Sequence, residues 1–265
     1  MLMLKTASRG VTLTALALLV GASAAPAAFA QDSGGDQGRG EKPDSRVGRL
    51  FIDFDTKLGR QSCSASVVHA QNKSVIATAA HCLFPEGGRG PKAERIEFAP
   101  GYDNGKAPLG YWRTDKITDF HNPYKVDGRW VQEAKTEGDI AFVVLPKKDG
   151  KTVEDAVGAY KADFKPDTVP LAGRNVAVHG YPGLHPYDGE KVVTAKGTTT
   201  AFEDVAYALS SNFSKGSSGG PWIDTDRGTL VGVTSRKETG SFIVGAPFVG
   251  STAALLAKAE QIAVR

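Results

Sequence analysis

Two adjacent serines framed by glycines, Ser217 and Ser218 in "KGSSGGPW" (Lys215 to Trp222), stand far downstream of a histidine in "TAAHC" (Thr78 to Cys82). A serine hydroxyl is a poor nucleophile until a base takes its proton. The base is a histidine whose tautomer and charge are held in turn by a carboxylate. Attack on a carbonyl also creates an oxyanion, which needs backbone N–H groups aimed at it. The flanking glycines meet that need, because they tolerate positive φ and let a substrate approach the backbone closely. The residue types are those of acyl transfer.

Gly216 to Gly220 also fits G-x-S-x-G, the strand-to-helix elbow of the α/β-hydrolases. That fold places its acid and histidine after the serine. All five histidines here (His69, His81, His121, His179 and His185) precede Ser218, so chain order excludes the elbow. The order His, Asp, Ser remains open.

In that order "TAAHC" resembles the histidine motif of the chymotrypsin-like (trypsin-like) serine proteases. "GDIAFVVL" (Gly138 to Leu145) resembles their aspartate motif and "GSSGGP" (Gly216 to Pro221) their serine motif. The likeness spans roughly Val47 to Ile262, and secreted bacterial members with a single disulfide are the most similar in layout. It implies that His81 is the general base, Asp139 its orienting carboxylate and Ser218 the nucleophile. The backbone N–H groups of Gly216 and Ser218 are the implied oxyanion hole, and Ser217 is a loop residue. Asp115, Asp119 and Asp127 are the rival carboxylates, but none directly precedes an apolar strand. The other four histidines read as structural or surface residues. The implied activity is peptide-bond hydrolysis through an acyl-enzyme on protein or peptide substrates, with no metal or organic cofactor. A monomer is expected. The alternatives are a narrowly specific enzyme and a protease fold that binds peptides without turnover.

Two departures from the family pattern stand out. Many animal members carry an aspartate just before the nucleophile, which pairs with a newly cut N-terminus; here Ser217 has no charge to offer. Cleavage before Val47 in "SRVGRLF" is therefore not expected to be an activation step. The acid that gives trypsin-like members their basic specificity is replaced by Asn212, and the histidine of glutamate-specific relatives by Thr234. Substrate contacts are expected from Asn212, Thr234, Ser235 and Arg236, with Ser235 to Lys237 pairing the substrate backbone.

The elements that must position these residues read as strands. Short apolar or alternating runs such as "VGRLFIDF", "SVIATA", "DIAFVVL", "NVAVHGY" and "TLVGVTS" are separated by Gly, Pro, Asn and Asp clusters. By themselves these runs argue an all-β barrel or sandwich; the family resemblance implies two six-stranded antiparallel barrels with their boundary at roughly 150–172. One helix is expected in "TAALLAKAEQIAV", where Leu255, Ala259 and Ile262 share a face.

The N-terminus carries export signals. Lys5 and Arg9, the apolar run Val11 to Val20 and the small residues Ala28 to Ala30 are laid out as a signal peptide over residues 1–30. Residues 31–45 hold no aliphatic or aromatic side chain and read as a disordered tail or short pro-segment, before a protease domain over 46–265. In an exported chain, the pair Cys63 and Cys82 reads as a disulfide, worth roughly 3 kcal/mol in the chain-entropy model. The whole chain has 32 Lys and Arg against 29 Asp and Glu; without the leader's two basic residues the balance is 30 against 29. So small an excess gives no reason to expect nucleic acid or, once the leader is removed, a membrane as partner.

Overall fold

Alternation along the chain builds the first sheet. In β1 (Val47–Phe54) every second residue, Leu50, Ile52 and Phe54 among them, is buried while Arg49, Phe51 and Asp53 lean outward. The computed structural model describes residues 44–54, 58–85, 93–114, 138–164, 172–202 and 206–264. The proposed leader, most of the tail, the rival aspartates Asp115, Asp119 and Asp127, and His121 lie outside the described residues.

Two curled antiparallel sheets make up the fold. The first joins β1, β2 (Arg60–Val68), β3 (Val75–Thr78), β4 (Ala93–Pro100), β5 (Trp112–Thr114) and β6 (Ala141–Val144) in the order β5-β4-β1-β2-β3-β6. The second joins β7 (Asn175–Gly180), β8 (Val193–Thr198), β9 (Thr200–Phe202), β10 (Ala206–Ser210), β11 (Pro221–Asp224), β12 (Thr229–Glu238) and β13 (Phe242–Pro247), ordered β8-β7-β11-β12-β13-β10-β9.

Among the described residues the second sheet thus has seven strands where six were expected. β8 and β9 are one run of chain interrupted at Thr199, whose N–H and C=O turn away to Arg174 and Gly173. β8 pairs with β7 and β9 with β10, so this interrupted run supplies both end strands of the curled sheet.

The segment between the sheets is bonded to both. Tyr160 N–H donates to Val67 C=O and its own C=O accepts from His69, while Leu230 N–H donates to Lys161 C=O and Asp163 N–H to Leu230 C=O. Each sheet carries an apolar core. Leu50, Ile52, Val67, Ile76 and Phe98 fill the first, and Val178, Tyr207, Trp222, Val231 and Ile243 the second.

Three helices occur among the described residues, where one was expected. The C-terminal helix α3 (Gly250–Glu260) buries Leu255, Leu256 and Ala259 and packs on β6. It ends before Ile262. The two short ones, α1 (Ala80–Leu83) and α2 (Val153–Val157), are single turns below the length at which periodicity is readable. No helix among the described residues is long and apolar enough to cross a membrane.

Candidate active site

Strand register brings His81 and Asp139 together. β3 and β6 run antiparallel with Thr78 opposite Ala141, so the residues just past Thr78 meet those just before Ala141. His81 lies in α1, one turn beyond β3, and Asp139 stands two residues before β6. The His81 backbone N–H donates to Asp139 Oδ1 at 2.9 Å, and His81 Nδ1 lies 2.8 Å from Oδ2. An ionised carboxylate only accepts, so Nδ1 carries the proton and Nε2 is left as the acceptor. The disulfide Cys63–Cys82 ties α1 to β2 beside the imidazole.

The carboxylate takes a third hydrogen bond from the other sheet, Ser235 Oγ donating to Asp139 Oδ2 at 2.6 Å. In β12 the register with β13 shifts between Thr234 and Arg236, so Ser235 sits at a bulge, the kind of irregularity that re-aims a side chain. Asp139 is only 6% exposed. Burial by itself would raise its pKa, but the imidazole charge and the three donors outweigh burial and hold it below the usual carboxylate value. His81 responds in the opposite sense. Burial disfavours the imidazolium, yet the Asp139 charge and hydrogen bond prevail and raise its pKa.

The serine loop is held by its carbonyls. Lys215 C=O accepts from Gly183 N–H at 2.7 Å, and Ser217 C=O from Gly220 N–H at 3.0 Å. In a trans peptide the N–H points opposite the C=O. The N–H groups of Gly216 and Ser218, which share those two peptides, are thereby turned away from these contacts, and neither donates to any of the described residues. Gly216 reaches this geometry at φ +100° and Gly219 at +79°. At both positions a Cβ would collide with neighbouring backbone.

A residue that the sequence motifs did not reveal braces the same loop. Ser64 Oγ donates to Gly216 C=O at 2.8 Å and accepts from Tyr181 N–H at 2.9 Å, while Ser64 N–H donates to Ser218 C=O at 2.7 Å. Ser64 is fully buried, one residue beyond Cys63, so the first sheet holds the loop of the second. It shows no sequence signal beyond being a serine in a strand. Of the two adjacent serines, Ser217 is buried with its Oγ donating to Ser214 C=O at 2.7 Å. Ser218 is partly exposed, and its Oγ makes no hydrogen bond among the described residues.

His81 and Ser218 line one surface groove, together with Leu184, His185, Ser214, Lys215 and the run Thr234 to Ser241. Thr234 contributes to its wall, but its hydroxyl is occupied by Trp222 Nε1 at 3.0 Å. Ser235 is committed to Asp139, and Arg236 lines the groove with its Nε on Glu238 Oε1. Asn212 is exposed and is not among the lining residues. Beyond Thr234, β12 pairs with β13 on one side only among the described strands, leaving an open edge. His185, read from sequence as a surface residue, is exposed at the groove. His69 bonds Glu154, and His179 bonds Thr194.

Cys63, His81 and Cys82 bring three potential metal-ligand atoms close together. Both sulfurs are consumed by the disulfide, which leaves the imidazole as a lone donor and no thiolate to bind a metal.

Residues 63–233 match the profile of the trypsin-like peptidase domain. The fold is similar to the protease Anisep from Arthrobacter nicotinovorans, with TM-score 0.72 and 27% identity over 84% of this chain and 98% of that one. It is also similar to the thermostable serine protease AL20 from an extremophilic microorganism, with TM-score 0.70 and 29% identity over 83% and 99% of the two chains. A Glu endopeptidase shares the fold at TM-score 0.61 and 20% identity, over 83% of this chain and 92% of that one. No curated protein matches the sequence.

Proposed function

The chain belongs to the trypsin-like peptidases and is a serine endopeptidase, and from that premise we propose that Ser218, His81 and Asp139 carry out its reaction. The observation that supports this most is the fixed Asp139–His81 pair, with Nε2 left as acceptor, in a groove shared with Ser218. His81 Nε2 takes the hydroxyl proton as Ser218 Oγ turns onto it and adds to the scissile carbonyl. The C–N bond then breaks, the amine leaves with the proton from His81, and an acyl ester remains on Ser218. Water, deprotonated by the same Nε2, hydrolyses that ester and returns the proton to Ser218.

The N–H groups of Gly216 and Ser218 take the oxyanion, each such donor being worth roughly 3 kcal/mol in the transition state. A substrate strand adds to the open edge of β12 at Ser235 to Lys237, as extended peptides add to exposed sheet edges. We assign the mature domain to residues 46–265 and the enzyme to the extracellular space. The export signals of residues 1–30 and the Cys63–Cys82 bridge, a bond that persists in oxidising compartments, support that assignment.

Digestion of unfolded casein by the purified mature protein, beside Ser218→Ala and His81→Ala, tests this reading. Hydrolysis by the wild type, lost in both variants, is expected. A folded wild type that binds peptides without cleaving any of them would instead mark a binding module.

A further inference from the structure

The charges at the groove are unevenly distributed. Lys215 and Lys237 are exposed at its lining, and neither forms an ion pair with any described residue. Arg236 adds a third cation. The acid sharing this lining, Glu238, accepts from Arg236 Nε. With Arg236 paired to Glu238, the two lysines give the described lining an excess of positive charge beside its protein walls.

Both lysines rise from fixed backbone. Lys215 C=O is held by Gly183 N–H, three residues before Ser218, and Lys237 is in register with Ile243 on β13. They line the same groove as Ser218, one beside the loop of turned-out N–H groups and one on the open-edged strand. The rest of the lining includes hydroxyls, Ser214, Thr239 and Ser241 among them, and an exposed imidazole, His185. Ammonium, hydroxyl and imidazole groups together suit a carboxylate.

We propose that this groove selects peptides with acidic side chains on the residues flanking the scissile bond, and that Lys215 and Lys237 are the specificity-determining residues. The inference rests on the endopeptidase reading above. Because the selecting groups are exposed ammonium ions rather than a buried pocket floor, aspartate and glutamate are both accepted and the selection is sensitive to salt. The same lysines repel Lys and Arg side chains, so specificity includes a repulsive element.

Internally quenched peptides identical except for Glu, Gln, Asp, Asn or Lys at one position beside the scissile bond test this. At low salt kcat/KM for each acidic peptide should exceed that of its amide counterpart by about tenfold, exposed charge pairs being worth up to about a factor of five each. The ratio should collapse toward one in about 0.5 M NaCl, where charges are screened beyond about 4 Å. Lys215→Glu and Lys237→Glu should each lower the ratio, and together reverse it. A neutral fluorophosphonate applied in parallel counts active serines and separates two kinds of failure. Enzyme that labels and cleaves but turns over Gln as fast as Glu overturns the acidic selection, as does a ratio indifferent to salt or to the double reversal. Enzyme that neither labels nor cleaves overturns the endopeptidase reading itself. If a lysine variant fails to fold, the wild-type Glu to Gln ratio and its salt dependence still decide.

Discussion

Ser235 Oγ donates to Asp139 Oδ2 across 2.6 Å, joining β12 of the second sheet to the carboxylate that leads into β6 of the first. With the two bonds from His81, this leaves the carboxylate little freedom to rotate. Ser235→Ala should therefore lower kcat for peptide hydrolysis by roughly ten- to a hundredfold, since a hydrogen bond to a charged group is worth about 1.5–3 kcal/mol. KM should change much less. Steady-state kinetics separates the two; a large KM change at constant kcat would return Ser235 to the role of substrate contact.

The pH dependence follows from the same pair. His81 must be neutral to accept a proton, and its pKa is raised above the ordinary 6.5. Activity should rise with pH through a midpoint above that value. Asp139→Asn should move the midpoint down and reduce kcat by about ten-thousandfold, the loss typical when the carboxylate of such a triad becomes an amide. A pH profile of kcat/KM for both proteins measures this, and an unchanged midpoint would separate Asp139 from the base.

Stability carries the opposite signature. A raised His81 pKa contributes stability that is fully present below 6.5 and lost as pH rises through the folded value. The depressed Asp139 pKa contributes stability present above 3.8 and lost as pH falls through its still lower folded value. The excess stability of wild type over Asp139→Asn should thus be largest between those two ordinary values and shrink on both sides. Urea unfolding at a series of pH values reads it directly.

Ser64→Ala should strip the hydroxyl from a buried site where it both donates and accepts. Tyr181 N–H and Gly216 C=O lose their partner, at a cost of about 1–3 kcal/mol in unfolding free energy. Because Gly216 is a proposed oxyanion donor, the rate of fluorophosphonate labelling should fall too. A variant that is less stable but labels at the wild-type rate would make Ser64 purely structural.

Activation by cutting before Val47 is not expected. Val47 is buried with its N–H on Asp44 C=O, and Asp44 is bonded to Arg46 and to Tyr160. Ser217, whose hydroxyl is bonded to Ser214 C=O, has no charge for a new terminus to meet. Protein beginning at Gln31 should show full specific activity. A strict requirement for a Val47 terminus would contradict this account.

Features confined to one stretch of chain were legible in the sequence. Short motifs singled out His81, Asp139 and Ser218, and alternation marked most of the strands. What escaped was set by contacts between sheets. Ser64 and Ser235 lie in ordinary strand sequence, and only the meeting of the sheets turns their hydroxyls onto Gly216 and Asp139. Counting back from the serine selected Asn212 as a substrate contact, yet the loop leaves it exposed and outside the groove lining. The single-turn helix α1 was hidden because four residues are too few to show a period.

The most direct test of the central claim is where a serine-directed fluorophosphonate attaches. Mass-spectrometric mapping of the mature protein should find one adduct on Ser218 and none on Ser217, and Asp139→Asn should slow its formation sharply. An adduct on Ser217, or none at all on folded protein at neutral pH, would contradict the assignment of Ser218 as the nucleophile.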